Sequence, residues 1–384
     1  MKMNKEPKKL IPELRFPEFV KDGEWEKKAL ESFCLNISSG KDNNIIDGEF
    51  VLYGSTGIIG RTEKASYYGD FILVARVGAN AGLLNKVNGK FGVTDNTLVV
   101  NLKKKEIIDF VFYSLEKFGL NCLVFGSGQP LITGTQLKSL NLLIPKTENE
   151  QQKIASCLSS LDEVIAAHSQ KLELLKTHKK GLMQNLFPQV GETVPKWRFK
   201  EFENEGEWVE KTLGEIAENF DSKRVPITSN QREKGDIPYY GASGIIDFVK
   251  GYIYNETLLC ISEDGANLID RNYPIAFSIS GKTWVNNHAH VLKIENTSTQ
   301  LLVEKYINSI NVEGFLTGMA QPKLNRGKLD IIPIPLSKNP NEQQKIADCL
   351  SSLDILITAQ AVKIEQLKLH KKGLMQGLFP SITN

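Results

Sequence analysis

Three fragments of the sequence carry residue types that catalytic or metal sites use. Phe125-Gly126-Ser127-Gly128 faintly resembles a loop that binds S-adenosylmethionine, but no Asn-Pro-Pro-aromatic element exists in the chain to hold a flipped base. Gly281-Lys282-Thr283 lacks the first glycine of a phosphate-binding loop, because Ala276 stands at that position. His288 and His290 lie two apart without a further ligand cluster, which favours packing or contact with a ligand such as DNA over metal binding. We therefore expect no catalysis, no resident cofactor and no metal site in this chain.

The sequence around these residues contains an internal duplication. Residues 149–188 and 341–380 are identical at 29 of 40 positions without a gap, at an offset of 192 residues. Shorter islands repeat in the same order: Pro12–Phe19 with Pro195–Phe202, Gly23-Glu24-Trp25 with Gly206-Glu207-Trp208, Tyr53–Ile59 with Tyr240–Ile246, Gly78–Asn80 with Gly265–Asn267, and Gln129-Pro130 with Gln321-Pro322. One architecture is duplicated, and each copy ends in a shared tail.

The two copies diverge unevenly. The tails are nearly the same, whereas the stretches of about 130 residues before them resemble each other only at the islands. Two heads with the same task would be expected to drift more evenly along their length. This pattern predicts two heads for two different ligands on equivalent stems.

Each tail predicts one long helix. Apolar residues alternate at spacings of four and three, which is a heptad seam. The predicted seam comprises Ile154, Leu158, Leu161, Ile165, His168, Leu172, Leu175, Lys179, Leu182 and Leu186, and in the second tail Ile346, Leu350, Leu353, Ile357, Gln360, Ile364, Leu367, Lys371, Leu374 and Leu378. Asn149 and Asn341 are the predicted N-caps, and Phe187-Pro188 and Phe379-Pro380 close the helices.

A helix with one apolar stripe needs a partner. Because one chain holds two such stripes, we expect the helices to pair with each other and to run antiparallel, and dimerisation with another chain is the alternative. His168 and Gln360 share one seam position. They either fix the register of the pair or lie at its solvated edge.

The heads read as short strands joined by tight turns, for example Phe71–Ala75, Thr97–Val100, Val285–Leu292 and Ile331–Ile334. One helix is predicted in each, near 107–118 and 300–310. The predicted fold class is α+β, with two heads (1–148 and 189–340) joined by two long helices (149–188 and 341–384) that form an antiparallel coiled coil with pseudo-two-fold duplication.

Composition excludes several classes of protein. The 384 residues, 41% hydrophobic and 24% charged, are typical of a folded chain with two or more domains. No apolar run could cross a membrane and the N-terminus has no export segment, so we expect a cytoplasmic protein. Five scattered cysteines without a C-x-x-C pair predict reduced thiols. The net charge of +2 means that any basic surface must be local.

The repeated residues resemble a known family. The twice-written NEQQKIA, LSSLD and KKGLMQ tail, the PELRFPEF and GEW start of each half, and YGASGI, EDGANL and WVNNHAHVL in the second half are similar to the specificity (S) subunit of type I restriction-modification systems. The resemblance covers essentially the whole chain. It implies that each head is a target recognition domain and that the tails are the central and C-terminal conserved regions. The first head departs from the commoner pattern at Val74–Gly78, where the second reads Cys260–Gly265.

This resemblance implies double-stranded DNA as a ligand. Two different heads on a spacer would read a bipartite, asymmetric site with an unread gap. Arg favours guanine, and Asn or Gln favours adenine, at major-groove edges. The candidate DNA-binding residues are Lys41, Arg61, Arg76, Asn80 and Gln129 in the first head and Lys223, Arg224, Asn267, Arg271, Gln321 and Lys323 in the second. A single residue of these types is more often an ordinary surface residue, and the candidates gain weight as a set on glycine-rich loops at equivalent points.

The resemblance also implies partner proteins. Two modification subunits would carry adenine methylation with S-adenosylmethionine, and two restriction subunits would carry ATP- and Mg-dependent translocation and cleavage. The candidate docking residues are Lys179, Lys180, Leu182, Met183 and Phe187, and their repeats Lys371, Lys372, Leu374, Met375 and Phe379. A shared helix-end packing motif is the alternative for these residues. For the whole chain, the alternatives are a stand-alone DNA-binding regulator and a duplicated carbohydrate- or peptide-binding module.

Overall fold

The computed structural model describes residues 10–124, 130–189, 191–318 and 321–381. The chain divides into two units, each of which combines one head with segments of both long helices. Unit 1 comprises residues 1–170 and 361–384, and unit 2 comprises residues 171–360. The division therefore falls inside the two helices, at the middle of each.

The first head and the first long helix contain ten strands and three helices. They are β1 (Glu26–Ala29), β2 (Cys34–Ser39), β3 (Phe50–Gly54), β4 (Gly57–Thr62), β5 (Tyr67–Tyr68), β6 (Phe71–Ala75), β7 (Leu84–Val87), β8 (Lys90–Val93), β9 (Thr97–Leu102), α1 (Ile108–Phe118), α2 (Gly134–Lys138), β10 (Asn141–Ile144) and the long helix α3 (Glu148–Leu186).

The second head and the second long helix follow the same plan. Their elements are β11 (Val209–Thr212), α4 (Leu213–Ile216), β12 (Glu218–Asn219), β13 (Lys234–Gly241), β14 (Gly244–Val249), β15 (Tyr254–Asn255), β16 (Leu258–Ser262), α5 (Asn267–Asp270), β17 (Ala276–Ile279), β18 (Lys282–Val285), β19 (Ala289–Lys293), α6 (Thr297–Ser309), α7 (Arg326–Asp330), β20 (Pro333–Leu336) and the long helix α8 (Pro340–Gly377).

The two heads have the same sheet topology. Unit 1 has two four-stranded sheets, β2-β9-β6-β7 and β4-β3-β8-β5, and unit 2 has β12-β19-β16-β17 and β14-β13-β18-β15. The pairs β3/β8 and β13/β18 are parallel, and the other pairs are antiparallel. A two-stranded ribbon completes each head, β1-β10 and β11-β20. The α+β class is confirmed.

Within each unit, the two long-helix segments pack antiparallel. In unit 1, Ile154 and Leu158 near the start of α3 share a core with Met375 in the last turn of α8 and with Leu378, which directly follows that helix. Further along α3, Asp162 pairs with Lys371, which is earlier in α8 (2.9 Å). Residue numbers therefore rise along one segment as they fall along the other.

Unit 2 repeats this arrangement with the roles of the helices exchanged. Met183 and Leu186 at the end of α3 share a core with Ile346 and Leu350 at the start of α8. The predicted pairing of the two stripes within one chain is confirmed, because both units show it.

The predicted seam is confirmed by burial. All twenty seam residues are buried or half-buried, including the polar pair. Gln360 is only 7% exposed, which excludes the solvated edge for this side chain, and His168 is half-buried. Off-seam residues such as Leu174 and Leu369 are exposed.

Two predicted details are wrong. Asn149 and Asn341 lie inside the helices, which begin at Glu148 and Pro340. In α8, proline at the first position needs no amide partner, and the side chain of Asn339 accepts a hydrogen bond from the Asn341 amide (2.9 Å). The strand predicted over 285–292 is two strands, because Asn286–His288 form the turn between β18 and β19.

A buried ion pair fixes each entry segment to a long helix. Arg15 binds both oxygens of Glu150, in the first turn of α3, at 2.8 Å. Arg198 binds both oxygens of Glu342 in the first turn of α8, at 2.6 and 2.7 Å. Both carboxylates are completely buried. This explains why the segments around Arg15 and Arg198 recur in the two halves.

The repeated tryptophans pack on the repeated helix ends. Trp25 meets Phe379 with ring centroids 5.9 Å apart, and Trp208 meets Phe187 at 6.0 Å. All five cysteines are free thiols. Among the described residues, no helix is both long and apolar enough to cross a bilayer.

Candidate DNA interface and helix surface

The loops after β6 and β16 have the same backbone frame. The amide of Ile132 donates to Arg76 O (2.9 Å) in unit 1, and the amide of Leu324 donates to Glu263 O (2.8 Å) in unit 2. Isolated bridges then join Val77 to Leu131 and Asp264 to Lys323. Arg76 and Glu263 therefore occupy equivalent positions, so one frame carries opposite charges in the two heads.

The unit 1 frame presents an arginine with an unsatisfied donor. Arg76 is half-buried, and its Nε atom is buried without a hydrogen-bond partner. Lys41 and Asn80 are exposed, and Arg61 binds the carbonyl of Glu49 (2.8 Å). No hydrogen bond or ion pair joins these four residues to one another in the described part of the head. Gln129 lies outside the described residues.

The unit 2 frame carries a charge network. Glu263 lies between Arg224 (2.6 Å) and Lys323 (3.1 Å). His290 places Nδ1 2.6 Å from Asp221 and Nε2 2.7 Å from the carbonyl of Leu324. On the neighbouring turn, the exposed His288 contacts Asp264 (2.8 Å). The structure thus brings together Arg224 and Lys323 of the predicted set.

This network holds two carboxyl groups in the ionised form. Burial raises the pKa of Asp221, but the hydrogen bond and charge of His290, with the amide of Val291, outweigh it and leave the pKa below its ordinary value. Burial likewise raises the pKa of Glu263, and Arg224, His290 and Lys323 together lower it below its ordinary value. Each ring nitrogen of His290 lies within hydrogen-bond distance of an oxygen, Nδ1 of the Asp221 carboxylate and Nε2 of the Leu324 carbonyl.

Asp221, Glu263 and His290 lie close enough together to hold a metal ion. Their hydrogen bonds give a different account of the cluster. Arg224 and Lys323 already neutralise Glu263, and both imidazole nitrogens of His290 are already within hydrogen-bond distance of a protein oxygen. The cluster fits an internal charge network better than a cation site.

The sequence reasoning missed Asp221, Glu263 and Asp264 as functional candidates. The available signal was the His288-x-His290 alternation, which places one imidazole inside the head and the next outside.

Two other predicted residues serve the fold of the second head. Asn267 is buried, and its amide donates to the carbonyl of Tyr273 (2.9 Å) while its oxygen accepts from the Tyr273 amide (3.2 Å). Arg271 has a φ of 52° and donates to the carbonyl of Ile310, just after α6 (2.5 Å). Burial lowers the pKa of Arg271. Lys223 and Gln321 are exposed, and the ammonium of Lys223 lies 3.4 Å from the ring centre of Phe220.

Turn geometry accounts for the repeated glycines. Gly57 and Gly244 have φ values of 96° and 111°, which side chains rarely adopt. A Cβ atom on Gly54 would meet the Ile59 side chain at 2.8 Å, and one on Gly241 would meet Ile246 at 3.3 Å. The two hairpins therefore need glycine without any contact to phosphate.

The candidate docking residues divide into a buried group and an exposed group. Met183, Phe187, Met375 and Phe379 are buried in the chain's own cores. The partly buried Leu182 and Leu374 pack against the same cores, and Lys179 and Lys371 bind Asp354 and Asp162. Lys180 and Lys372 remain exposed, with no carboxylate within ion-pair distance among the described residues. Helix-end packing thus explains most of the repeated motif but not these two lysines.

Comparison with known proteins assigns the family. The sequence profile described as "Type I restriction modification DNA specificity domain" matches residues 23–177 and 205–369. The chain belongs to this family. The two matched ranges cover both heads and most of both long helices, which agrees with the duplication seen in the structure.

Relatives within the family cover the chain to different extents. A protein of Haemophilus influenzae named as a type I restriction enzyme specificity subunit is 38% identical over 152 residues, which is 39% of this chain and 38% of that protein. A protein of Mycoplasma genitalium named as a type I specificity subunit is 23% identical over 94% of each chain. The crystal structure of a type I restriction-modification S subunit from M. genitalium matches with a TM-score of 0.73 and 20% identity, over 97% of this chain and all of that one. That likeness shows that the fold is shared.

Proposed function

We propose that this chain is the DNA-recognition subunit of a type I restriction-modification complex. Each head reads one half of an asymmetric bipartite site, and the helices set the gap between the halves. The observation that carries the proposal is the pair of equivalent loop frames with opposite charge, Arg76 in one head and Glu263 in the other. The same backbone with different side chains suits two readers of different half-sites.

The two frames suit different modes of base recognition. In head 1, the loop frame carries the half-buried Arg76, and a guanidinium group suits the O6 and N7 acceptors of guanine. In head 2, Arg224 is bound to Glu263 and to the carbonyl of Ala289 (2.9 Å), so it positions the network. The exposed Lys323 and His288 are then the groups that face DNA. A substitution at either frame should change one half-site and leave the other unchanged.

The partners supply the chemistry. Two modification subunits methylate adenine with S-adenosylmethionine, and two restriction subunits use ATP and Mg for translocation and cleavage. This chain supplies DNA specificity and the helix surface on which the modification subunits dock. The exposed lysines Lys180 and Lys372, at equivalent places in the two halves, support two docking sites of the same kind.

Methylation mapping tests the proposal. The chain is co-expressed with the modification subunit of its own system in a host without adenine methylation, and the DNA is mapped by single-molecule sequencing. We expect methylated adenines in one two-part motif, and only when both proteins are present. Unchanged DNA together with tight site-specific binding by the purified chain alone would instead identify a stand-alone regulator.

An insertion tests the role of the helices. Seven residues added after Gln170 and seven after Gln360 lengthen each helix by about 10 Å at 1.5 Å per residue. At about 3.4 Å per base pair, we expect the gap to grow by about three base pairs with the half-sites unchanged. The control is Lys171→Ala, which keeps the helix length and should keep the gap. An unchanged gap in the insertion variant would contradict the spacer role.

A further inference from the structure

The structure contains two equivalent basic grooves, one in each unit. Groove 1, in unit 1, is lined by Glu116, Lys117, Asp162, Lys368, Lys371 and Lys372, and has a volume of about 540 Å³. Groove 2, in unit 2, is lined by Glu304, Lys305, Asp354, Lys176, Lys179 and Lys180, and has a volume of about 960 Å³. Every residue of one set has its counterpart of the same type in the other.

The equivalence has two sources in the sequence. The lysines and aspartates come from the tail repeat, at the constant offset of 192 residues. The glutamate-lysine pairs come from the head helices, where Glu116-Lys117-Phe118 of α1 matches Glu304-Lys305-Tyr306 of α6. These helices belong to the divergent heads, yet both present the same pair to the same site. The charged residues of the two grooves are therefore equivalent both in the nearly identical tails and in the divergent heads.

Ion pairs form the floor of each groove. Lys371 contacts Asp162 (2.9 Å) and Glu116 (3.2 Å) in groove 1. In groove 2, Lys305 contacts Glu304 (2.6 Å) and Asp354 (3.1 Å), and Lys179 pairs with the same aspartate. Each floor thus joins a head helix to both long-helix segments of its unit.

The walls carry the excess charge. Lys176 and Lys368 are about half exposed and contact only a glutamate of the preceding helical turn. Lys180 and Lys372 are exposed, without a carboxylate within ion-pair distance in the described residues. Among the six residues that define each groove, four lysines face two carboxylates. Groove 1 therefore has a net positive charge of about two at neutral pH, and Arg271, which also lines groove 2, raises the net charge there to about three.

The grooves also contain apolar surface. Groove 2 includes Phe277 and Met183, and groove 1 includes Ile165 and Met375. Ile165 and Phe277 are half-buried, and mixed charged and apolar surface is usual at protein interfaces. A DNA backbone would gain nothing from the apolar walls, whereas a protein segment can place both carboxylates and apolar side chains in the groove. The composition of the grooves favours a protein segment over phosphate.

We propose that each groove binds an acidic segment of one modification subunit, with its carboxylates on the wall lysines and an apolar side chain against the half-buried Ile165 in groove 1 or Phe277 in groove 2. This inference rests on the proposed function, because it takes the modification subunit as the occupant. The inference adds where on this chain the modification subunit binds and which types of side chain hold it there. Two equivalent grooves predict two copies of that subunit bound in the same way.

Charge reversal at the unpaired lysines tests this inference. The probe is the purified modification subunit of the same system, mixed with the full chain and analysed by native mass spectrometry and calorimetry. We expect two copies bound to the unchanged chain. Lys180→Glu and Lys372→Glu should each weaken one of the two sites at least tenfold, and the double variant should bind neither copy at concentrations that saturate the unchanged chain.

Matched controls are present on the same helices. Lys171 and Lys363 are equivalent exposed lysines outside the grooves, so Lys171→Glu and Lys363→Glu make the same charge change. We expect both control variants to bind two copies with unchanged affinity. Because all four side chains are exposed, thermal unfolding should confirm that each variant folds.

Three outcomes would overturn the inference. If the groove variants bind two copies as the controls do, the grooves are not the docking sites, although the proposed function survives. If the unchanged chain binds no modification subunit, the inference and the proposed function both fail. If Lys180→Glu and Lys372→Glu weaken binding of random-sequence duplex DNA tenfold while two subunits still bind, the grooves bind phosphate.

Discussion

Removing the arginine of a buried ion pair should destabilise one unit strongly. In unit 1, Arg15 makes two hydrogen bonds of 2.8 Å to Glu150, and it donates a third of 2.6 Å to the carbonyl of Gly23. Glu150 is completely buried, and its remaining donor is Trp25 Nε1 at 3.3 Å. Arg15→Met keeps a straight side chain but leaves a buried carboxylate without a countercharge.

The magnitude follows from these contacts. Hydrogen bonds to a charged group contribute about 1.5–3 kcal/mol each, so two of them suggest a loss of about 3–6 kcal/mol. Breaking a buried pair from one side costs about 3–5 kcal/mol, which agrees. Arg15→Met combined with Glu150→Met removes both charges, and such replacements are often close to neutral. The double variant then loses mainly the bond from Trp25, about 1 kcal/mol.

The measurement is hydrogen exchange of unit 1 peptides, read by mass spectrometry at rising urea concentrations, because the two units need not unfold together. Arg15→Met should lower the free energy of unit 1 opening by about 4 kcal/mol and leave unit 2 peptides unchanged. The matched variant Arg198→Met should do the reverse, since Arg198 pairs with Glu342 in unit 2. A loss below about 1 kcal/mol for Arg15→Met, or a double variant that loses more than the single one, would refute the reasoning.

Three further variants or treatments have defined outcomes. The folded-state pKa values of Asp221 and Glu263 lie below their ordinary values of 3.8 and 4.5. Their ion pairs therefore stabilise the protein fully above about pH 5, and this stabilisation is lost as the pH falls through the folded-state pKa values. The difference in unfolding free energy between the unchanged chain and Asp221→Asn, measured by urea unfolding, should be largest at pH 7 and should shrink below pH 4. In native protein, a thiol reagent followed by mass spectrometry should label the exposed Cys122 fast, and it should label Cys260 only on unfolding, because burial raises the pKa of that thiol. Gly82→Ala should destabilise unit 1 in thermal unfolding, since a Cβ there would meet the backbone of Asn121 at 2.7 Å.

Each of these predictions has a control. For the pH dependence, Asp236→Asn changes an exposed carboxylate that forms no ion pair with any described residue, and the stability gap between this variant and the unchanged chain should not vary with pH. Equal labelling rates for Cys122 and Cys260 in the native protein would contradict the burial argument. Gly89→Ala has a similar positive φ with nothing within 4 Å of the added Cβ, so it should cost less than Gly82→Ala.

The sequence predicted those parts of the fold that depend on local repeats. A heptad stripe shows which side of each helix is buried, because burial there follows a fixed period. The heptad pattern left the burial of the polar seam residue Gln360 open, and the structure shows that this side chain is buried. Antiparallel pairing followed from two stripes in one chain with related halves. Neither inference required contacts between distant residues.

Other parts could not be predicted because distant residues create them. The parallel pairing of β3 with β8 joins strands separated by four others, and alternation of apolar residues does not reveal that register. The bond between Arg15 and Glu150 spans 135 residues. The N-caps were misplaced because Asn149 and Asn341 have the preferred residue type, whereas Pro340 and Asn339 decide where α8 begins.

The candidate DNA residues show the same limit. Residue type alone could not separate Arg76, which is half-buried in the loop frame of head 1, from Arg271, which caps the end of α6. It also gave no reason to select Glu263, since its meaning depends on the cations beside it. The equivalence of Glu263 with Arg76 depends on the matching backbone hydrogen bonds of the two heads, which residue type does not show.

The central claim is that each head reads its own half of one DNA site. Methylation maps of three chains test it directly: the unchanged chain, Arg76→Ala in head 1 and Lys323→Ala in head 2, each co-expressed with the modification subunit. We predict one two-part motif for the unchanged chain, relaxed bases in only one part for Arg76→Ala, and relaxed bases in only the other part for Lys323→Ala. A contiguous motif, or two variants that alter the same part, would contradict the account.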